Sequence, residues 1–499
     1  MDPLLTGSVI VGYFLVLFVI SYRTGRNNDD QTFFAANKSS PWYLVAFGMI
    51  GATLSGVTFL SVPGAVGAAK WNYLQFVMGN LAGYAVIALV LLPLYYRLNL
   101  VSIYEYLKDR YGFWAYKTGA VFFLLSRVIG ASLRLYLVAL VLQLAVAEPL
   151  GIPFAATVAL SIALIYLYTF RGGIKTVVWT DTLQTACMLV GAGLTVYFIG
   201  DKLGWSLGEM IQQVRASELS QTFFWDWGPG NNFFKQFLSG AFIAIAMTGL
   251  DQDMMQKNLT CPNLQEAQRN VFWFSGAFFL ANILFLGLGV LLFLFGQESG
   301  ILAIDLKDGF QIFMQEAGTD QWVARKSDEV FPILALNYLG PAAGIVFILA
   351  VIAAAYSSAD SALTALTTSF CVDLLNFNER EDGADKRNTR YRVHLGFAGV
   401  LFLVIMLFWL LNDDAVVWTI FRLAGYTYGP LLGMFAFGIL TKREARDNLI
   451  LPICLAAPVL TYAIGEVSKA YDFEIGFMIL ILNGLLTMLG LWAVSRPAP

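Results

Sequence analysis

Four side chains, Ser357, Asp360, Ser361 and Thr364, fall on one face of a segment that is otherwise hydrocarbon, residues 344–375. At 3.6 residues per turn they make a ladder of oxygen donors along one helix. A carboxylate at mid-bilayer depth costs roughly 2.5–3.5 kcal/mol on insertion scales, a cost that marks an ion or solute path. Hard oxygen donors without His or Cys beside them suit a small hard cation, not a transition metal. A polar packing seam between helices uses the same small residues, so this helix alone leaves both readings open.

A second group of donors is the backbone itself. Residues 48–64 read GMIGATLSGVTFLSVPG, with Gly51, Gly56, Pro63 and Gly64 in an apolar frame. Glycine and proline weaken a helix and free its carbonyls, which at membrane depth can coordinate sodium or meet a solute. The alternative is a simple kink at Pro63. Charged groups recur in other apolar segments. Asp181 lies near one end of its segment, either functional or merely solvated. Asp251 and Asp253, with Gln252, Gln256 and Lys257 beside them, suggest a gate or a capped helix end. Arg127 and Arg134, seven residues apart, share one helix face. Each guanidinium keeps its charge and needs an anionic partner from the chain or from a solute.

The elements that must position these groups are membrane spans. Of 499 residues, 58% are hydrophobic and 13% charged, which excludes an ordinary soluble domain. Thirteen apolar segments are long enough to cross roughly 30 Å of hydrocarbon: 5–22, 43–69, 72–98, 113–145, 152–170, 175–199, 233–257, 270–296, 340–375, 392–411, 415–440, 447–467 and 474–495. With the amino end outside, 20 Lys and Arg fall in internal connections, 8 in external ones, and Arg127, Arg134 and Arg422 inside spans. That asymmetry supports a retained first span, an outer amino terminus and an inner carboxyl terminus. The chain reads as one transmembrane unit over 1–499. Residues 101–111 suggest an interfacial helix, and the longest external connections, 200–232 and 297–339, suggest short surface helices. Four scattered cysteines give no disulfide framework, and the lone His394 argues against a His-dependent metal centre.

Jointly, the interrupted second span, SIYEYLKDRYG (102–112), GGIKTVVWTD (172–181), DQDMMQKNL (251–259), AAAYSSADSAL (353–363) and GPLLGMFAFGIL (429–440) resemble the sodium:solute symporter family over nearly the whole chain. The resemblance includes bacterial sodium-coupled sugar, sialic acid and monocarboxylate transporters. It implies an all-α integral membrane protein of the LeuT-type fold. Spans two to six, about 43–199, and seven to eleven, about 233–440, would form a 5+5 inverted repeat, with one extra span before and two after. A first sodium would be held by oxygens of Gly51, Leu54, Ala354, Ser357 and Ser358. A second cation would take Asp181, Asp360 and Ser361; relatives carry serine or alanine where Asp360 stands, which leaves that ion open between sodium and a proton. Candidate solute contacts are Thr53, Ser55, Thr58, Tyr73, Gln75, Arg127 and Arg134, and candidate gate residues are Asp251 and Asp253. The glutamine and glutamate of sugar-transporting relatives match Thr58 and Val77 here. The arginine of sialic acid relatives matches Gly130, with Arg127 and Arg134 each about one turn away.

The expectation is a sodium-coupled symporter of a bacterial inner membrane. It would import a small organic solute by alternating access with more than one sodium. Its partners would be the solute and the bilayer, without nucleic acid, an obligatory protein partner or covalent catalysis. Asp181 and Asp360 being assigned to a cation, the arginine charge points to an organic anion. The alternatives are a neutral sugar or polyol as solute, or a proton in place of sodium.

Overall fold

Segments with no water to satisfy their amides must bond internally, so the apolar runs become helices. The computed structural model describes residues 3–25, 30–305, 310–319, 321–377, 383–411, 416–471 and 473–497. Among them, ten helices are long and apolar enough to cross a membrane, and two sharply bent helix pairs raise the number to 12. The expected fifth span is the shorter apolar helix Phe154–Thr169. This is a multi-pass membrane protein, and its helices follow the segments read from sequence.

The bent pairs are the second and seventh spans. In the second, Trp42–Thr53 and Gly56–Ala69 meet at 54°. The break is at Leu54 and Ser55, where Ser55 has φ 2° and ψ 171°. Pro63 does not make it; the second half-helix runs through that proline. Gly64 serves a different need: a Cβ there would stand 2.0 Å from the Ser327 carbonyl oxygen. In the seventh span, Phe233–Gly249 and Gln252–Leu259 meet at 65°. The Tyr95 hydroxyl donates to the Gly249 carbonyl (2.9 Å) and that of Tyr104 to the Leu250 carbonyl (3.0 Å). These hydroxyls replace ladder bonds that the break removes. Asp251 caps the second half, accepting from the Asp253 and Met254 amides at 2.9 and 3.3 Å.

The ninth span, Pro341–Leu374, is the most enclosed of the ten unbroken spans: 78% of its most apolar window is buried, against 22% in the first, tenth and twelfth spans. Its polar face therefore looks into protein, not lipid. Small residues bring neighbours close to it and to each other. A Cβ on Gly191 of the sixth span would lie 2.4 Å from Ala350 Cβ. Gly79 and Gly240 let the third and seventh spans touch, since a Cβ on either would meet the other helix's backbone at about 2 Å. His394 sits buried between Thr169 and Thr367 at 2.9 and 2.8 Å, tying the fifth, ninth and tenth spans together.

Connections are short with two exceptions. Residues 200–232 contain the expected surface helix, Leu207–Ala216, opened by a capping box between Ser206 and Glu209. The 297–339 connection differs from expectation. Leu302–Asp305, Gln311–Gln315 and Trp322–Arg325 form an antiparallel three-stranded sheet before the helix Ser327–Asn337. Alternating burial in the middle strand, with Ile312 and Met314 inward, explains it, a period of two that short strands display weakly in sequence. Residues 101–111 hold only a short helix, Glu105–Arg110.

Candidate functional site

The two breaks and the middle of the ninth span meet at one level of the bundle. At the second-span break, the Leu54 amide donates to the Ile50 carbonyl at 2.8 Å, so the carbonyls of residues 51–53 lie beyond the last ladder bond. The ninth span faces them. Ser358 Oγ donates to the Ala52 carbonyl at 3.2 Å, and Ser357 Oγ to the Ala354 carbonyl at 3.2 Å. These residues are buried, apart from the half-buried Thr53. Gly56 lets the fourth span close in here: a Cβ there would lie 2.6 Å from Val138 Cγ2. Gly51 is held from the other side, its amide donating to Thr185 Oγ1 at 3.0 Å. The predicted first-cation residues Gly51, Leu54, Ala354, Ser357 and Ser358 are thus brought together. The Ala52 carbonyl joins them, although the sequence did not single it out. Neutral carbonyls and hydroxyls at this density fit an alkali cation.

The predicted second-cation residues come near each other but are differently engaged. Asp181 Oδ2 is 2.8 Å from Lys257 Nζ. Asp360 Oδ2 accepts from the Tyr168 hydroxyl at 2.8 Å and Thr180 Oγ1 at 3.4 Å, and its Oδ1 accepts from the Ser361 amide at 2.6 Å. Ser361 Oγ donates not toward Asp181 but to Asp253. No local pattern announces the Lys257 contact, because its partner lies 76 residues away.

Beside the break is a partly open cavity of about 80 Å³. Six of the seven predicted solute residues line it: Thr53, Ser55, Thr58, Tyr73, Arg127 and Arg134. Gln75 does not. Its amide nitrogen donates to Asn72 Oδ1 (2.7 Å) and the Asn231 carbonyl (3.0 Å), and its oxygen accepts from the Phe224 amide (3.2 Å). It is a tether for the 221–232 connection, a role that long-range pairing hides from sequence. Lining residues that the reading missed come mostly from the seventh span, Ile243, Ala244, Met247, Thr248 and Met254, together with Phe76, Tyr84 and Phe278. Asn80 also lines it. Among the described residues, Thr53 Oγ1 and Asn80 Oδ1 are buried there without a hydrogen-bond partner.

The two arginines part company. Arg127 is ion-paired with Asp253 through Nη2 and lies 3.9 Å from Asp251 through Nη1. Asp251 also accepts from the Tyr428 hydroxyl. This corrects the expectation that Arg127 lacks an internal acid; its partners are the two residues read as a gate. Asp251 is both helix cap and ion partner. Arg134 is half-buried in the cavity wall and pairs with no carboxylate among the described residues. The Arg127–Asp253–Ser361 chain joins the fourth, seventh and ninth spans on the side of the cavity nearer Lys257, and Gln256 extends it to the Phe34 carbonyl (2.7 Å) and Thr368 (3.0 Å).

Known proteins resemble this chain over most of its length. The sodium:solute symporter family matches residues 33–447. The sodium/sialic acid symporter SiaT of Proteus mirabilis is 24% identical over 96% of this chain and 94% of its own length. Sodium-coupled monocarboxylate transporter 1 of Xenopus laevis is 23% identical, covering 84% of this chain and 64% of its own. Among solved structures, a substrate-bound, outward-open Na+-coupled sialic acid symporter superposes with a TM-score of 0.80 at 19% identity, covering 99% of both chains. At that identity the structural likeness speaks for the fold.

Proposed function

This chain belongs to the sodium:solute symporter family and has its LeuT-type fold, and from that premise we propose that it is a sodium-coupled symporter importing a hydroxylated organic acid. One observation carries the reading: the buried Ser358 hydroxyl of the ninth span reaches the Ala52 carbonyl at the second-span break, beside the cavity, with Ser357 and the Ala354 carbonyl next to it. Family and relatives are transporters, so the activity is translocation without covalent chemistry.

Sodium is cargo and also a fastener. Bound by the oxygens of Gly51, Leu54, Ala354, Ser357 and Ser358, it holds the broken second span against the ninth and shapes the cavity wall that Thr53 and Ser55 provide. Binding of cation and solute are then reciprocally coupled. Spans two to six and seven to eleven act as inverted halves, each opening on a broken span, around a site at their junction. The charge asymmetry supports an amino terminus outside and a carboxyl terminus inside, and the likeness to bacterial symporters supports a bacterial inner membrane. The ion pairs of Arg127 with Asp253 and of Lys257 with Asp181 then seal the inner side. Each sodium entering a negative interior releases about 2.3 kcal/mol per 100 mV, enough for roughly fiftyfold accumulation.

Arg134 supports the acid assignment. It is a guanidinium in the cavity wall with no carboxylate of its own among the described residues, and a bidentate carboxylate is its best complement. The unpartnered Thr53 Oγ1 and Asn80 Oδ1 would receive solute hydroxyls. The test is a thermal-stability screen of carboxylated and neutral sugar analogues in sodium and in potassium, followed by proteoliposome uptake. Stabilisation by acids in sodium alone is expected. Stabilisation by neutral analogues alone would overturn the acid, and equal behaviour in potassium would overturn sodium coupling.

A further inference from the structure

The best-formed ion pair in the membrane interior joins a residue of the family's second cation site to a lysine. Lys257 lies in the inner half of the broken seventh span, Asp181 in the sixth. Their side chains are 2% and 1% exposed, with 2.8 Å between Nζ and Oδ2. Asp360 interacts electrostatically with both. Tyr168 and Thr180 hydroxyls and the Ser361 amide satisfy its carboxylate. Ser361, the hydroxyl donor expected for a second sodium, is turned to Asp253 instead. A sodium there would have to share Asp181 with an ammonium and would lack the Ser361 oxygen.

We infer that the Lys257 ammonium takes the place of a second sodium, so that each transport cycle carries one sodium, at the first site. The inference rests on the sodium-coupled reading above. It also replaces the expectation of more than one sodium. The local pairing supports it. Asp181 already has the Lys257 ammonium as its counter-ion at 2.8 Å. A second sodium beside Asp181 would have to sit next to that ammonium. At about 4 Å from the ammonium, and at the effective dielectric of a protein site, the repulsion weakens binding by roughly a thousandfold. A tethered cation also suits a moving part. Lys257 rides on a half-helix whose neighbours, Asp251 and Asp253, close the inner side through Arg127. Opening that side carries the ammonium away from Asp181 without releasing a second ion to the cell.

The test counts sodium directly, with radioactive sodium and the purified full-length protein, so no solute need be known. The wild-type protein should bind one sodium per chain. Lys257→Gln should bind two, because Asp181 then needs a counter-ion, and the charge-neutral pair Lys257→Gln with Asp181→Asn should return to one. Ser361→Ala in the otherwise unchanged protein should keep its sodium affinity within about twofold, a readout that stands even where Lys257→Gln fails to fold. Two sodium ions in the wild type, one in a folded Lys257→Gln, or a tenfold loss in Ser361→Ala would each overturn the inference. Zero sodium in the wild type would instead overturn the sodium-coupled reading beneath it.

Discussion

Arg127 and Arg134 share a helix face and line one cavity, yet their replacement by glutamine should fail in different ways. Arg127→Gln leaves Asp253 and Asp251 buried with their cation gone. Removing one partner from a buried pair costs about 3–5 kcal/mol, because the remaining charge stays uncompensated. Tyr428 and Ser361 still donate to the two carboxylates, which places the cost toward the lower end of that range. Arg134→Gln strands no partner. It removes a charge-assisted contact to the solute, worth roughly 1.5–3 kcal/mol, or about a 10- to 150-fold loss of affinity. The assay pairs two readouts on each purified variant: half-life in detergent at fixed temperature, and solute affinity in saturating sodium. Arg127→Gln should shorten the half-life sharply, and adding Asp253→Asn should recover much of it. Arg134→Gln should keep the half-life and lose affinity. If Arg134→Gln binds normally while Arg127→Gln loses affinity with an unchanged half-life, the assignment of structural and solute-binding roles is wrong.

Ser357→Ala and Ser358→Ala should each raise the half-saturating sodium concentration about tenfold, as loss of one ligand-scale contact implies; unchanged sodium dependence in both would remove them from the site. Gly51→Ala should abolish transport, since its Cβ would stand 2.2 Å from Thr185 Oγ1. Adding Thr185→Ala should restore only part, because 3.2 Å contacts to Thr185 Cα and Cβ remain; full activity of Gly51→Ala in uptake assays would show that the helix contact is not needed. Gln75→Ala should leave solute affinity intact while the 221–232 connection becomes more sensitive to protease, and lost affinity with unchanged cleavage would return Gln75 to the solute site.

What was legible in the sequence is what local pattern encodes. Apolar run length gave the spans, and the Gly-rich frame around residues 51–56 gave a broken helix. Its position was less legible: a kink at Pro63 stood as the alternative, but a proline inside a membrane helix is tolerated where neighbours re-satisfy the freed backbone. The seventh-span break carries only Gly249 as a local cue and is sustained by Tyr95 and Tyr104, more than 140 residues away. The ladder of Ser357, Asp360 and Ser361 was visible as a helical face. Which acid each cation chooses was not. Arg127 finds Asp253 and Lys257 finds Asp181 only after the spans are packed, so spacing assigned both acids to other roles. Gln75 was misread for the same reason, its partners being Phe224 and Asn231.

The central claim is that sodium binds between the broken second span and the ninth. Equilibrium binding of radioactive sodium to the purified protein, beside a double Ser357→Ala, Ser358→Ala variant of equal thermal stability, tests it most directly. Saturable binding that potassium does not displace, and that the double variant loses, is the predicted result. Equal binding by both proteins, or none by the wild type, would contradict it.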